Sequence, residues 1–153
     1  MDISVTNEQN LLPVDTTRLA SAARGVLHEA GRRGTLSIAV VDDPTIHRLN
    51  AEFLRHDYAT DVLSFALEDD GERLEGEVIV SAQTAIANAA EYGWTAADEL
   101  LLYVVHGVLH LVGYRDKSDA DASEMRVAEQ RSLAALGVTL PSPASKQEGA
   151  QPS

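Results

Sequence analysis

Residues 100–112 constrain the fold of this chain more than any other segment. They read Leu-Leu-Leu-Tyr-Val-Val-His-Gly-Val-Leu-His-Leu-Val, and a helix with this sequence is apolar almost all round. Such a helix is typical of a protein interior, where other elements cover every side of it. The sequence therefore predicts a buried central helix that begins at the capping-box-like residues 95–98 and ends at Gly113.

The predicted central helix carries two histidines, His106 and His110, one helical turn apart. Positions i and i+4 share a face of an α-helix, so both imidazoles can bind the same ion. A left-handed turn at Gly113 would fold the chain back and return Asp116 as a third donor. Two histidines and one carboxylate leave the fourth position of a zinc tetrahedron open, as in catalytic zinc sites. The alternative is a pair of core histidines hydrogen-bonded to protein groups, since an unpaired buried polar group costs roughly 1–3 kcal/mol.

The rest of the chain alternates strand and helix signals before it becomes purely helical. Period-two patterns predict strands at 2–6, 35–41, 61–67 and 77–81, and period-3.6 patterns with caps predict helices at 16–30, 43–53, 81–93, 95–112 and 118–136. This order predicts an α+β fold, in which about five helices cover a small mixed sheet of about four strands. We expect one domain over residues 1–140, and a disordered tail rich in Pro, Ser, Gln and Gly over 141–153.

Composition excludes several classes of protein and of metal site. The chain has 153 residues and no cysteine, so a disulfide framework and a thiolate metal site are both excluded. It has no apolar run of membrane-spanning length and no signal-peptide pattern, so we expect no membrane association and a cytoplasmic location. The net charge of −12 is opposite to the basic footprint of most nucleic-acid binders. Any action on nucleic acid would therefore depend on a local cluster of cations.

The residue after His106 argues against a zinc peptidase. The peptidase signature is H-E-x-x-H, in which the glutamate is the general base. Gly107 occupies that position here, and no carboxylate lies between the two histidines. The ligand pattern is thus similar to that of a peptidase, but the base is missing.

Four motifs together resemble one known family. The segment His-Gly-Val-Leu-His-Leu-Val-Gly-Tyr at 106–114 resembles the signature of the YbeY family, bacterial endoribonucleases of ribosomal RNA maturation. Three further segments agree in order and spacing with that family: Leu49-Asn50, Thr-Asp-Val-Leu-Ser-Phe at 60–65, and Gly-Glu-Val-Ile-Val-Ser at 76–81. The resemblance covers about residues 35–136, nearly all of the predicted ordered chain.

The resemblance implies a function and a set of site residues. It implies one zinc ion per chain and metal-dependent cleavage of single-stranded RNA, in maturation of the 3′ end of small-subunit (16S) ribosomal RNA and in ribosome quality control. The implied partners are this RNA and ribosomal particles. His106 and His110 match the first two ligands of the family's H-x3-H-x5-H motif.

The chain departs from the family pattern at two positions. Asp116 stands where the family has its third histidine, and aspartate also binds zinc. An aspartate ligand makes the metal site less positive, so that a bound water is acidified less. We therefore expect a higher pH optimum of activity than in three-histidine relatives. The family also has an important arginine shortly before the T-D-V-L-S-F strand. Arg55 is the candidate, although a gap-free alignment places Leu54 there. Either the loop is one residue shorter than in the family, or the arginine is absent and His56 or Arg48 substitutes for it. An arginine suits this role because it binds phosphate bidentately and stabilises charge in the transition state.

Other residues near the motifs have weaker assignments. Arg48, Arg55, Arg115 and Lys117 lie in segments expected near the metal, whereas many carboxylates fall in the hairpin at 68–77 and in the last helix. Two tyrosines, Tyr58 and Tyr114, are candidates for stacking on RNA bases, and Asp61 and Ser64 are expected to support the site rather than to react.

Two other functions remain open at this stage. The first is a non-catalytic ribosome-assembly factor in which the metal only holds the last helices together. The second is a metal-dependent hydrolase of another substrate. The sequence does not choose between attack by water and attack by a neighbouring 2′-hydroxyl.

Overall fold

The computed structural model describes residues 1–141 and confirms the predicted α+β fold. Within these residues the elements follow the predicted order, with four strands and five helices: β1 (Asp2–Asn7), α1 (Thr16–Glu29), β2 (Arg33–Val41), α2 (Asp43–Leu54), β3 (Val62–Asp69), β4 (Arg73–Ser81), α3 (Ala82–Tyr92), α4 (Ala96–Leu111) and α5 (Asp119–Ala134). The tail predicted to be disordered, apart from Pro141, lies outside the described residues.

The four strands form one mixed sheet in the order β1-β2-β4-β3. β1 and β2, which α1 connects, run parallel, and β4 is also parallel to β2. The chain passes from β2 through α2 and β3 to β4, and the short turn between β3 and β4 makes that pair antiparallel. β2 and β4 begin earlier than the predicted residues 35 and 77. Their ladder starts at the pair Arg33 and Arg73, so backbone pairing extends both strands beyond their apolar residues. β3 is left at an edge of the sheet.

Helix α4 is the centre of the larger core, as predicted. It packs against α1, α3 and α5, and on its other side against β3 and β4. Val104, Val105 and Val108 have no exposed surface at all. The opposite face of the sheet has a smaller cluster around Val41, Ile46 and Leu63, covered by α2. Alternate residues of β2, β3 and β4 thus reach two different cores, as the period of two requires.

No helix among residues 1–141 is long and apolar enough to cross a membrane. Even α4, the most apolar helix, has only 16 residues. Its apolar surface is instead covered by the sheet and by neighbouring helices.

Candidate metal centre

The end of α4 places the two histidines beside the turn that follows. Thr95 caps the start of the helix by accepting a hydrogen bond from the N–H of Asp98. At the other end Gly113 has a φ of 112°, in the left-handed region that favours glycine. The N–H groups of Gly113 and Tyr114 donate to the carbonyls of His110 (3.1 Å) and Leu109 (3.0 Å), which satisfies the open end of the helix. The chain therefore reverses where the sequence predicts it.

This reversal brings Asp116 to both imidazoles. The Nε2 atoms of His106 and His110 are 3.1 Å apart. Oδ2 of Asp116 lies 3.6 Å from the Nε2 of His106 and 3.5 Å from that of His110. Nitrogen and carboxylate ligands at about 2.0–2.2 Å from a tetrahedral zinc ion are about 3.3–3.6 Å from one another. The three donor atoms thus form one face of a tetrahedron of the right size for zinc, and this cluster could hold a metal ion.

Glu129 is part of the site, and the sequence analysis missed it. Its Oε2 lies 2.6 Å from Nδ1 of His106, on the ring edge opposite the cluster. The sequence analysis contrasted the carboxylates of the last helix with the cations expected near the metal, but this carboxylate contacts a candidate ligand. The signal was present, because Glu129 shares the buried face of α5 with Met125, Ala128 and Leu133. A carboxylate on an apolar face needs a partner.

Three carboxylates act on His106. Burial of the ring, the largest single influence, disfavours its charged form. The hydrogen bond and charge of Glu129 and the charges of Asp61 and Asp116 together outweigh burial, so the pKa of His106 is raised. His110 behaves oppositely: burial and the charge of His106 lower its pKa. Burial also raises the pKa of Asp61, whose Oδ1 accepts the N–H of Val62 at 2.8 Å. So many acidic groups around two imidazoles favour a bound cation.

Gly107 lets α4 approach the sheet closely. A Cβ at this position would lie 2.8 Å from Cγ1 of Val78 and 2.9 Å from Cγ2 of Val62. The hydroxyl of Ser64 donates to the Gly107 carbonyl at 2.9 Å, so β3 and α4 are also joined by a hydrogen bond. Position 107 thus faces the packed sheet, and a glutamate there would not fit without moving the helix. The packing of α4 on the sheet therefore leaves no room for a peptidase-like base at position 107.

A cleft of about 370 Å³ opens beside the two histidines, along the edge strand β3. Apart from His106, His110 and Ser64, its lining is apolar: Leu54, Val62, Leu63, Ala66 and Leu111. The donor cluster therefore borders a space that a substrate can enter.

Comparison with known proteins identifies the family. The family profile described as "Endoribonuclease YbeY" matches residues 4–137. The chain belongs to the YbeY endoribonuclease family. A protein named endoribonuclease YbeY from Rhodopirellula baltica is 45% identical over 128 residues, which are 82% of this chain and 66% of that protein. One of the same name from Carboxydothermus hydrogenoformans is 41% identical, over 88% of this chain and 96% of that one. Among solved structures, that of TM1509 from Thermotoga maritima matches with a TM-score of 0.59 and 26% identity, covering 97% of this chain and 99% of that one.

In this YbeY family member, the loop from α2 to β3 borders the cleft. Leu54 and Val62, which flank the loop, both line the cleft. Arg55 is exposed, is not among the lining residues, and has a φ of 60°, the one non-glycine positive φ that the described residues show. The gap-free alignment, which places Leu54 at the position of the family's arginine, thus agrees with the position of Leu54 in the cleft wall. A role for Arg55 stays a prediction. Arg48 is also exposed, and its charge acts on Asp42 at the start of α2.

The two tyrosines have different surroundings. Tyr58 is 54% exposed, and its ring is nearly parallel to that of His56, at 9°. The side chain of Asn50, which is buried, donates to the Tyr58 carbonyl at 3.0 Å and thereby holds the loop. Tyr114 instead packs partly buried against the core, with its hydroxyl 3.5 Å from Arg131. Stacking on bases therefore suits Tyr58 better than Tyr114.

Proposed function

We propose that this protein is a metal-dependent endoribonuclease that cleaves single-stranded RNA, with one zinc ion held by His106, His110 and Asp116. The observation that carries the proposal is the triangle of donor atoms, 3.1–3.6 Å on each side, at the edge of a cleft. The names of the relatives support RNA as the substrate. When bound, the metal would supply a Lewis acid for a phosphodiester oxygen and its attacking group.

The charges of the site decide how RNA can bind to it. Asp61, Asp116 and Glu129 surround the histidines, so the cleft without a cation repels phosphate. Binding of the scissile phosphate therefore depends on the metal and on cations at the rim, for which Arg55 is our first candidate. The exposed ring of Tyr58 offers a stacking surface to an unpaired base, which favours single strands over a duplex.

The proposed biological substrate is the 3′ end of small-subunit (16S) ribosomal RNA, in ribosomal particles, during maturation and ribosome quality control. It follows the family resemblance of the four motifs, which the relatives named endoribonuclease YbeY support. Because the proposed substrate is in ribosomal particles, we also propose that the protein is located in the cytoplasm.

The first experiment measures the zinc content of the tag-free protein together with its cleavage of a single-stranded RNA. We expect about one zinc per chain, consistent with a single three-donor site, and cleavage that a chelator abolishes and zinc restores. His110→Ala should lose both zinc and activity. His28→Ala, a substitution of an exposed histidine on α1, is the matched control and should lose neither. Zinc-free wild-type protein that cleaves RNA would overturn the proposal.

A second experiment tests the arginines. Cleavage rates of Arg55→Ala and Arg48→Ala are compared at saturating zinc. We expect a larger loss for Arg55→Ala, because its loop starts and ends at the cleft. Equal rates for both variants and wild type would remove both assignments.

A non-catalytic assembly factor with a structural metal is the second candidate. It is favoured by the placement of the donors, since the metal would join the end of α4 to the following turn, and Glu129 links His106 to α5. It predicts a melting temperature that rises with zinc, but no zinc-dependent cleavage of RNA. The first experiment therefore separates the two candidates.

A further inference from the structure

We propose that Glu129 is a positioning residue that presets His106 for metal binding. This inference rests on the proposed metal site, in which Glu129 is not a ligand. Its Oε2 is 2.6 Å from Nδ1 of His106, while Nε2 of the same ring points to His110 and Asp116. An ionised carboxylate at Nδ1 requires a proton on that nitrogen. The neutral ring then carries its lone pair on Nε2, the atom that faces the cluster.

The surroundings of Glu129 restrict the position of its carboxylate. Its side chain is only 8% exposed and lies on the buried face of α5. The second carboxylate oxygen, Oε1, is 3.9 Å from the guanidinium of Arg126, one turn earlier on the helix. Arg126 also donates to the carbonyl of Pro141 at 3.3 Å. Oε2 thus faces His106 while Oε1 lies on the side of Arg126.

The two histidines differ in how firmly the protein fixes their rings. The His106 side chain is 12% exposed, and Glu129 contacts its Nδ1, on the side of the ring away from the cluster. The His110 side chain is 31% exposed, and within residues 1–141 its hydrogen bond and ion pair both lie inside the cluster. We infer that His106 is the preformed ligand and that His110 adjusts to the ion. Glu129 and Asp116 together would also balance the two charges of a zinc ion.

The test compares Glu129→Ala and Glu129→Gln with wild type in two measurements. Zinc affinity is measured by competition with a chelating dye near neutral pH. The tautomer of His106 is read from ¹⁵N NMR of metal-free protein, at a pH where the ring is neutral. Glu124→Ala is the matched control, because it removes the same charge from an exposed position of the same helix.

We expect Glu129→Ala to weaken zinc binding by about 10- to 100-fold, as loss of a carboxylate behind a ligating histidine does elsewhere. His106 should then lose its preference for the Nδ1–H form. Glu129→Gln should fall between wild type and the alanine variant, because an amide oxygen still accepts the N–H but carries no charge. Glu124→Ala should match wild type in both measurements.

Two results would overturn the inference: zinc affinity of Glu129→Ala equal to that of Glu124→Ala, or an unchanged Nδ1–H tautomer in Glu129→Ala. If Glu129→Ala does not fold, Glu129→Gln decides by the same two readings. Wild-type protein that binds no zinc but holds His106 as Nδ1–H would refute the proposed metal site and leave the positioning by Glu129 intact.

Discussion

Replacing Gly107 by alanine tests whether the close packing of α4 against the sheet requires a residue without a side chain at this position. The added Cβ would lie 2.8 Å from Val78, 2.9 Å from Val62 and 3.0 Å from the Ser64 hydroxyl. Both valines are β-branched residues in strands, so their side chains cannot rotate away cheaply. Overpacking of this kind costs about 1–3 kcal/mol. Alanine recovers about 0.8–1.0 kcal/mol of helix propensity, so the net loss is about 0–2 kcal/mol.

A matched glycine separates the two contributions. Gly25 lies in α1, is exposed, and has no atom within 4 Å of an added Cβ. Gly25→Ala should therefore stabilise the protein by the propensity term alone, about 0.8–1.0 kcal/mol. The difference between the two variants isolates the steric cost, about 1–3 kcal/mol, and corresponds to roughly 2–12 °C in melting temperature for a domain of this size.

The assay is thermal and denaturant unfolding of the metal-free variants, followed by zinc titration. Displacement of α4 should also weaken zinc binding in Gly107→Ala, because both histidines move with the helix. Equal melting temperatures for Gly107→Ala and Gly25→Ala would refute the reasoning. Such a result would mean that the valines and the helix separate without measurable cost.

Three further predictions concern charge and substrate contact. Asp116→His adds one unit of charge to the zinc-loaded site, so the pH optimum of RNA cleavage should move to lower pH; an unchanged or higher optimum contradicts this. Burial raises the pKa of Asp61 above its ordinary 3.8, so the folded state binds a proton at Asp61 more tightly than the unfolded chain does. The free energy of unfolding therefore falls as the pH rises from 3.8 through the raised pKa of the folded state. Asp61→Asn should therefore raise the melting temperature of the metal-free protein more at pH about 8 than at pH about 4, and an equal gain at both contradicts it. Tyr58→Ala should weaken binding of single-stranded RNA by about 5- to 100-fold and Tyr58→Phe little, measured by fluorescence anisotropy; equal affinities exclude stacking.

Residue spacing within α4 and its following turn made part of the candidate site predictable. The i, i+4 spacing places His106 and His110 on one face of any α-helix, and the glycine at 113 permits the left-handed turn that returns Asp116. These features depend on backbone geometry over a few residues. The buried character of α4 and the α+β order of elements follow from local apolar patterns in the same way, and the structure confirms both.

Only tertiary structure decided which residues from other elements meet this helix. Glu129 is 23 positions from His106 and reaches it because α5 packs on α4. Gly107 meets Val62 and Val78 because α4 lies on β3 and β4, and Leu54 lines the cleft because α2 ends there. Periodicity tells which face of a helix is buried. It does not tell which residues of another element that face contacts, since this depends on how the packed elements cross and on how closely their side chains allow them to approach.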